Sequence, residues 1–227
     1  MSFRSFAPFD PFRFPAIGAP PPSPFPQIVG SVATYNGASS ASHAVTLPSG
    51  IVSGERLLMI VRQGGSNVSK TPPTGWSLIS GTGFMEVYSR TADGTEGATG
   101  TVGISGARKL LAVTMRISPW TAVQVATISN TLNSPALSPA WGSDDTLWLA
   151  ASSVQQNDST FEYTGDPTDY TRIEYLETTD GAGVGDTSDA QLVVAYRELA
   201  AATEDPAAWP TSGTQTGNRS ITIAIQP

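Results

Sequence analysis

The feature that most restricts the fold of this chain is a degenerate internal repeat. Five groups of residues recur in the same order in its two halves, at an offset that grows from 90 to 94 and then to 108 residues. The matched groups are Leu57–Ile60 with Leu147–Ala150, Pro73–Ile79 with Pro167–Ile173, Val87–Tyr88 with Ala195–Tyr196, Thr95–Glu96 with Thr203–Glu204, and Met115–Ile117 with Ile223–Ile225. A growing offset is expected when two copies of one unit gain loops of different length. We therefore predict half-repeats at about residues 30–118 and 121–227.

From Gln27 onward, short segments of alternating polar and apolar residues are separated by clusters of Gly, Pro, Ser, Asn and Asp. This pattern is typical of an all-β domain. Only residues 198–203, rich in Ala and Leu, have helical propensity, and they are too few to form a helix in isolation. The predicted strands lie near residues 29–35, 42–47, 56–63, 76–80, 84–90, 98–104, 109–117, 121–129, 146–154, 170–177, 191–198 and 219–226.

The two half-repeats are expected to form one domain rather than two. Each half ends in an aliphatic strand, and no Pro/Gly-rich linker separates Ile117 from Val123. Two half-sandwiches of this kind bury their apolar faces against each other. The expected fold is an all-β, single two-sheet β-sandwich of jelly-roll-like architecture over residues 28–227, preceded by an extended Pro/Phe-rich N-terminal arm at residues 1–27.

The arm is distinguished by its composition, since six of the eight Phe and eight of the eighteen Pro lie within residues 1–26. Proline forbids helix interiors and favours extended backbone at the residue before it. In polyproline II geometry, with three residues per turn, phenylalanines spaced by three fall on one ridge. We expect the arm to anchor the protein to another chain, with docking onto its own body as the alternative. The predicted anchors are Phe3, Phe6, Phe9, Phe12, Phe14 and Phe25.

Charge and composition exclude several classes of function. The net charge is −7, and because residues 1–27 carry Arg4, Arg13 and Asp10, residues 28–227 carry −8. A body of that sign repels nucleic acids and anionic membranes. Without cysteine the chain has no disulfides, zinc–thiolate sites or iron–sulfur clusters. The longest aliphatic run, Leu57–Val61, is too short to cross a membrane, so we expect a soluble chain without membrane insertion.

The candidates for catalysis are few. His43, the only histidine, shares a period-two face with Val45 and Leu47, which favours a structural histidine over a catalytic base. No Gly-x-Ser-x-Gly motif is present. We therefore expect neither enzymatic activity nor a cofactor. The carboxylates that a glycoside hydrolase would have to use, which nothing in the sequence distinguishes from surface acids, are Asp144, Asp145, Glu162 and Glu174.

One acidic segment is a candidate metal site. Residues 158–189 contain nine acidic residues against a single base, Arg172. Clustered hard oxygen ligands in a Gly-rich loop suit calcium, and the candidate ligands are Asp180, Asp186 and Asp189. The segment lacks the spacing of an EF-hand, so a solvated acidic loop is the favoured interpretation.

Three tryptophans are candidates for carbohydrate binding. Trp120, Trp141 and Trp209 stand beside Pro or Gly in predicted loops, whereas Trp76 and Trp148 lie inside predicted strands. An exposed indole on a loop offers a flat apolar face against which a sugar ring can stack. The alternative is that these loop tryptophans close the end of the sandwich core, which is their more common role.

A set of turn and core motifs runs through the body at Leu47–Gly50, Pro73–Trp76, Tyr88–Arg90, Ala92–Gly97 and Pro139–Trp148. Over about residues 45–225, these motifs resemble those of virion structural proteins of tailed bacteriophages. The resemblance implies a non-enzymatic, Ser/Thr/Gly-rich β-sandwich on the virion surface, in a group whose appendages are often homotrimers.

Together, the arm and the resemblance predict a phage surface protein that binds other virion proteins through residues 1–27. A tail fibre or tail-tip appendage acting in host attachment is the first expectation. A capsid decoration (cement) protein or head fibre is the second. A carbohydrate-binding module that adheres to a host surface glycan is the alternative from a different class of function.

Overall fold

The computed structural model describes residues 25–156, 161–178, 189–213 and 215–227. In these residues all regular secondary structure is β-strand, so the all-β prediction is confirmed. The predicted arm lies outside them except for Phe25–Gln27. The strands are β1 Gln27–Thr46, β2 Arg56–Gln63, β3 Lys70–Thr71, β4 Ser77–Gly81, β5 Met85–Thr91, β6 Thr99–Ser118, β7 Ala122–Val125, β8 Asp145–Gln156, β9 Thr171–Glu177, β10 Asp189–Ala200 and β11 Thr216–Gln226.

The strands form two antiparallel sheets, one from each half of the chain. The first sheet has the order β1-β6-β2-β5-β4, with β3 paired to β6, and the second sheet has the order β7-β11-β8-β10-β9. The two orders are the same once β7 is matched to β1, β8 to β2, β9 to β4, β10 to β5 and β11 to β6. The first sheet lies within residues 27–118 and the second within residues 122–226, so each half-repeat builds one sheet.

The predicted two-sheet sandwich is confirmed, but its connectivity differs from that of a jelly roll. In a jelly roll the strands of both halves mix in each sheet. Here every strand pairs within its own half, and the chain crosses from one sheet to the other between Ser118 and Ala122. Pairing between strands that are close in sequence is the common case in β-proteins.

Three apolar clusters stabilise the sandwich. The inner core lies between the sheets and contains residues of both, such as Leu58 and Leu149. A first outer core covers the other face of the first sheet, beneath the end of β1 and the start of β6. A second outer core covers the second sheet beneath loops 126–142, 161–170 and 201–213. Because the central strands are buried on both faces, they have continuous apolar runs such as Leu57–Val61 rather than alternation.

Strand pairing corrects the repeat alignment by one residue in β2 and β8. Met115 pairs with Leu58 in the first sheet, and its repeat partner Ile223 pairs with Leu149 in the second. Leu58 therefore corresponds to Leu149, at an offset of 91 rather than 90. All four side chains are buried in the inner core, as equivalent positions should be.

The same correction applies to β5 and β10. The registers match Val87 with Val194, both in the inner core, rather than with Ala195. A shift of one residue moves a side chain to the opposite face of a strand. Tyr88 accordingly lies in the first outer core, whereas Tyr196 packs against the inner core, so these two tyrosines are not equivalent.

Some predicted element boundaries also differ. β1 joins the strands predicted at 29–35 and 42–47, and β6 joins those at 98–104 and 109–117. β1 stays continuous through the polar segment between the two predicted strands because β-bulges, seen as register shifts between Asn36 and Ser42, accommodate the extra residues. Residues 198–200 continue β10 opposite β8, so pairing overrides the helical propensity there. The strand predicted at 121–129 ends at Val125.

Candidate functional site

The two ends of the sandwich, which we name proximal and distal, hold different groups of side chains. At the proximal end, β1 begins with Gln27 opposite Ser118, and β11 ends with Gln226 opposite Ala122. At the distal end, β2 finishes beside the start of β5, and β8 finishes opposite Asp189 at the start of β10. β8 has 12 residues, and at about 3.3 Å per residue it separates the two ends by roughly 40 Å.

At the proximal end, residues 25–27 join the first sheet to the second. Of the six predicted anchors, only Phe25 lies among the described residues, and Phe3, Phe6, Phe9, Phe12 and Phe14 lie outside them. The Gln27 Nε2 donates to the Phe25 carbonyl at 3.1 Å and to Glu198 Oε1 of β10 at 2.7 Å. The chain therefore enters β1 at the proximal end, next to the second sheet.

Trp120 also lies at the proximal end, where it closes the inner core. Its Nε1 donates to the Gly54 carbonyl at 2.8 Å, and the Arg56 guanidinium lies 3.5 Å from the centre of its ring. Arg56 Nη1 donates in turn to Ser89 Oγ at 2.7 Å. This cation–π contact covers one face of the indole, so that face is not open to a sugar ring.

The other two predicted sugar-binding tryptophans belong to the second outer core. Trp209 is only 3% exposed, and its Nε1 donates to Ser134 Oγ at 3.3 Å. Trp141 is half-buried, and its Nε1 donates to Thr146 Oγ1 at 2.9 Å. The structure thus places the three indoles in two different cores and does not bring them together on one surface. Their packing fits the alternative role of closing the cores.

His43 has a structural environment. Its ring is buried, with Nε2 at 2.8 Å from the Arg108 carbonyl and 3.1 Å from the Ser40 carbonyl. Because both partners are acceptors, Nε2 carries a proton and donates it. The imidazole thereby fastens the bulged part of β1 to β6.

The carboxylates considered for glycoside hydrolysis are dispersed. Asp144 accepts a hydrogen bond from Gln226 at 2.7 Å, and Asp145 begins β8, both at the proximal end. Glu174 lies within β9 opposite Val194. Glu162 is exposed, and its backbone N–H donates to Ser212 Oγ at 2.8 Å. Apart from the adjacent Asp144 and Asp145, the structure does not bring these acids together.

The calcium candidates are only partly covered, because Asp180 and Asp186 lie outside the described residues. Asp189 begins β10, and its Oδ1 forms an ion pair with Lys109 Nζ at 2.7 Å. This pair joins the two sheets at the distal end. Within the described residues, no group of three His, Asp or Glu side chains is arranged to hold a metal ion.

A second charged cluster at the distal end was not anticipated from the sequence. Arg62, near the end of β2, is fully buried, and its Nε, Nη1 and Nη2 have no hydrogen-bond partner among the described residues. Its guanidinium lies 5.0 Å from the centre of the Phe84 ring, and that of Arg219 lies 4.7 Å from the same ring. Burial and the nearby Arg219 charge lower the pKa of Arg62 to about 9.

Lys70 extends this cluster on the side of the first sheet. Its Nζ forms a buried ion pair with Glu86 at 3.4 Å and donates to the Gly83 carbonyl. Burial lowers the pKa of Lys70 to about 8. The Tyr88 hydroxyl also donates to Glu86, and burial with this hydrogen bond raises the pKa of Tyr88. In the part of the chain that the structure describes, Glu86 thus has two partners, Lys70 and Tyr88, and neither is Arg62.

The sequence contains one signal that points to Arg62. On period two it shares the face of Leu58 and Ile60, so a charged residue stands on the inner face of a predicted core strand. A buried charge is costly unless it is paired, so such a position requires an explanation. The pattern of turns and apolar residues does not explain why a charged residue stands there.

A groove of about 720 Å³ lies on the outer side of the first sheet. Its wall combines aromatic, charged and hydroxyl groups, among them Trp76, Arg90, Glu96 and Thr101. Arg90 Nε forms an ion pair with Glu96 at 3.2 Å, and Arg90 Nη2 forms another with Asp93 at 2.8 Å. The groove therefore presents polar groups that are fixed in position.

No described helix is long and apolar enough to cross a membrane. The chain matches no family model, and neither the curated proteins nor the solved structures include a significant match. The resemblance to phage virion proteins consequently rests on the motifs quoted above and stays a prediction.

Proposed function

We propose that the chain is a non-enzymatic surface protein of a tailed bacteriophage particle, held by residues 1–27 and displaying the β-sandwich. The observation that supports this proposal is the polarity of the sandwich. The segment that precedes β1 joins the body at the proximal end, roughly 40 Å from the distal end. An anchor attached there leaves the distal end facing away from the particle.

The −8 charge of the body fits a displayed domain. A net charge well away from zero keeps copies of a protein apart and limits nonspecific association. Within this proposal a tail fibre or tail-tip appendage is the first location, because such proteins present a β-rich body to the host. A capsid decoration protein or head fibre is the second.

Deletion of residues 1–24 tests the anchor, because it leaves Gln27 and all of β1 in place. We expect the truncated protein to keep the melting temperature of the full chain and to be absent from purified particles. A second variant keeps the arm but changes Phe3, Phe6, Phe9 and Phe12 to Ser. It should also be absent from particles, because the aromatic anchors are lost. Normal occupancy of the truncated protein would contradict the proposal. Immunogold labelling of particles that carry the full chain distinguishes tail from head.

A second candidate function is carbohydrate binding in the outer groove, rather than at the three loop tryptophans. The observation that favours it is the fixed set of polar groups beside Trp76 in a groove of about 720 Å³. Thr101 is exposed on the groove wall, so Thr101→Arg fills the groove without disturbing a core. Glycan-array binding should be lost in this variant and kept in Thr127→Arg, which adds the same charge at an exposed position outside the groove. Equal signals from both variants would exclude the groove.

A further inference from the structure

The charged residues that line the outer groove, Arg90 and Glu96, are already satisfied by partners within the chain. Arg90 Nε pairs with Glu96 at 3.2 Å, and Nη2 pairs with Asp93 at 2.8 Å. Arg90 Nη1 donates to the Thr74 carbonyl at 3.4 Å. Glu96 also accepts the backbone N–H groups of Asp93 at 2.6 Å and Gly94 at 3.0 Å. These charges stabilise the groove wall and are not available to pair with a charged ligand.

The indole of Trp76, by contrast, has an N–H group without a partner. The other four tryptophans each donate through Nε1 to an oxygen of the chain, namely Trp120, Trp141, Trp148 and Trp209. Trp76 Nε1 has no acceptor among the described residues, yet it is not enclosed as a buried unpartnered atom. Because Trp76 is only 7% exposed and lines the groove, we assign this N–H to the groove wall.

Threonine hydroxyls supply further neutral groups around the groove. Thr99 and Thr101 alternate along β6 and therefore share one face of the strand. Thr71 of β3 stands opposite Gly103, the next position on that face, which has no side chain. Within the described part of the chain, four wall threonines have hydroxyls that make no hydrogen bond: Thr71, Thr74, Thr99 and Thr101. Each hydroxyl is exposed and can both donate and accept.

A second hollow extends the outer groove along the sheet. It has a volume of about 360 Å³ and shares Leu47 and Glu96 with the groove, so the two spaces adjoin. Small-molecule sites have volumes of about 300–1,000 Å³, so each space alone is large enough for part of a ligand. An elongated ligand of several similar units fits this shape better than a single ring does.

We propose that the outer groove takes a neutral oligosaccharide, and that Trp76 Nε1 and the four threonine hydroxyls bind its hydroxyl groups. This inference rests on carbohydrate binding in the outer groove, the second candidate function. Sugar hydroxyls donate and accept, as the threonine hydroxyls do, whereas the indole N–H only donates. A uronic acid or an amino sugar would lose hydration of its charge without gaining an opposite one, because Arg90 and Glu96 are engaged. Neutral sugars avoid that cost.

A glycan array tests this selectivity on the full-length protein. The array carries cello-, manno- and galacto-oligosaccharides from dimer to tetramer, together with the uronic acid and the amino-sugar form of each backbone. We expect neutral members to give signals roughly tenfold above their charged counterparts, a difference of about one hydrogen bond to a charged group. The signals should also rise from dimer to tetramer.

The −8 charge of the body requires a salt control, because it repels anionic sugars before they reach the groove. The array is therefore read at about 0.15 M and again at about 0.5 M sodium chloride, since added salt screens the repulsion between distant charges. Selectivity that arises within the groove should persist at the higher concentration. Signals from uronic acids that rise to those of the neutral forms would show that the body charge alone excludes them.

Two variants test the contacts. Trp76→Phe removes the indole N–H and keeps a ring in the core, and Thr101→Val removes an exposed hydroxyl and keeps the shape of the side chain. We expect each variant to weaken binding by roughly three- to tenfold, the loss of one neutral hydrogen bond. Trp141→Phe and Thr127→Val make the same chemical changes outside the groove and should keep the wild-type signals. If Trp76→Phe does not fold, Thr101→Val still tests the assignment.

The outcomes separate this inference from the function on which it rests. If Thr101→Arg abolishes no glycan signal, the groove binds no carbohydrate and both fail. If Thr101→Arg abolishes signals that come equally from neutral and charged members, carbohydrate binding stands and the selectivity for neutral sugars is wrong. If Trp76→Phe and Thr101→Val both bind as the wild type does, the assigned contacts are wrong.

Discussion

Asp169 stands at the position in the second sheet that Gly75 occupies in the first, and both have a left-handed backbone, with φ values of 64° and 82°. Each is the third residue of a turn closed by a backbone hydrogen bond of 3.0 Å, from Trp76 to Pro73 and from Tyr170 to Pro167. The duplication has thus kept the geometry of the turn, while the residue at its third position differs between the two halves. The carboxylate of Asp169 lies 3.6 Å from Arg197, which occupies the position of Arg90 in the first sheet.

This comparison predicts the order of stability at residue 169. Asp169→Gly removes the left-handed strain and an exposed ion pair, two effects of opposite sign, so we expect a change within about 0.5 kcal/mol. Asp169→Ala keeps the strain and loses the ion pair, and should destabilise the protein by about 1 kcal/mol. Gly75→Ala should cost about 1–2 kcal/mol, because its Cβ would also stand 2.9 Å from Arg90 Nη1. Urea denaturation of the three variants measures these differences, and an Ala variant at residue 169 as stable as the Gly variant would contradict the assignment.

The sequence was sufficient to predict the two-sheet sandwich, because turn signals and apolar segments recur in the same order in both halves. It was not sufficient to align the central strands. Leu57–Ile60 and Leu147–Ala150 are apolar on both faces, so an offset of 90 matches residue types as well as the observed 91. Alternation, which sets the register of a half-exposed strand, is absent from strands that are covered on both sides.

The surroundings of the predicted site residues could not be derived from the sequence either, for a related reason. The position of a tryptophan beside Pro or Gly does not reveal whether a loop folds over the outer face of a sheet, as the loop of Trp209 does. The distal charges are brought together by pairing between strands distant in sequence, such as β2 with β5, and a single sequence does not specify which charges meet.

The ion pair between Arg116 and Glu55 should contribute to stability at neutral pH. It has two contacts of 2.7 Å, and the Glu55 residue is 7% exposed. The hydrogen bond from Arg116 lowers the pKa of Glu55 below its ordinary value. A carboxylate with a lowered folded-state pKa stabilises the fold above its unfolded pKa of about 4.3, and this stabilisation is lost as pH falls through the folded pKa.

Glu55→Gln should therefore reduce the free energy of unfolding by about 1–3 kcal/mol at pH 7. Below pH 4 the difference from the wild type should become smaller. Urea denaturation at pH 7, 5, 4 and 3 measures the effect. A difference that is the same at every pH would show that packing, and not the charge of Glu55, accounts for the loss.

Lys70 predicts a pH dependence in the alkaline range. Its folded-state pKa is about 8, below the ordinary value, because burial disfavours its charge. Between pH 8 and about 10 the unfolded chain binds more protons at this residue than the folded chain does, so stability should rise with pH. Above pH 10 the raised pKa of Tyr88 has the opposite effect, since the unfolded tyrosine then ionises first.

The Lys70→Met variant isolates the lysine contribution to this alkaline rise. We expect its free energy of unfolding to increase less than that of the wild type between pH 8 and 10. Arg62, with a pKa lowered to about 9, accounts for part of the rise that remains in the Lys70→Met variant. Chemical denaturation at half-unit pH intervals provides the comparison, and identical slopes for the two proteins would contradict a lowered pKa at Lys70.

The buried ion pair between Lys109 and Asp189 should couple the two sheets. It joins β6 to β10 at 2.7 Å, with both side chains largely buried. Lys109→Met alone leaves a buried carboxylate without this partner and should cost about 3–5 kcal/mol. The double variant Lys109→Met, Asp189→Leu removes both charges, and we expect it to be more stable than Lys109→Met by about 2 kcal/mol or more, because two apolar groups can replace a buried pair at little cost.

A double-mutant cycle separates this coupling from simple loss of packing. Arg172 and Asp166 form the control pair, at 2.6 Å but with each side chain about a quarter exposed, at 28% and 25%. Because water screens such a pair, its coupling energy should stay below about 1 kcal/mol. Equal coupling energies for the two pairs would mean that burial does not strengthen the interaction between Lys109 and Asp189. A larger value for Lys109 and Asp189 identifies that pair as an electrostatic link between the half-repeats.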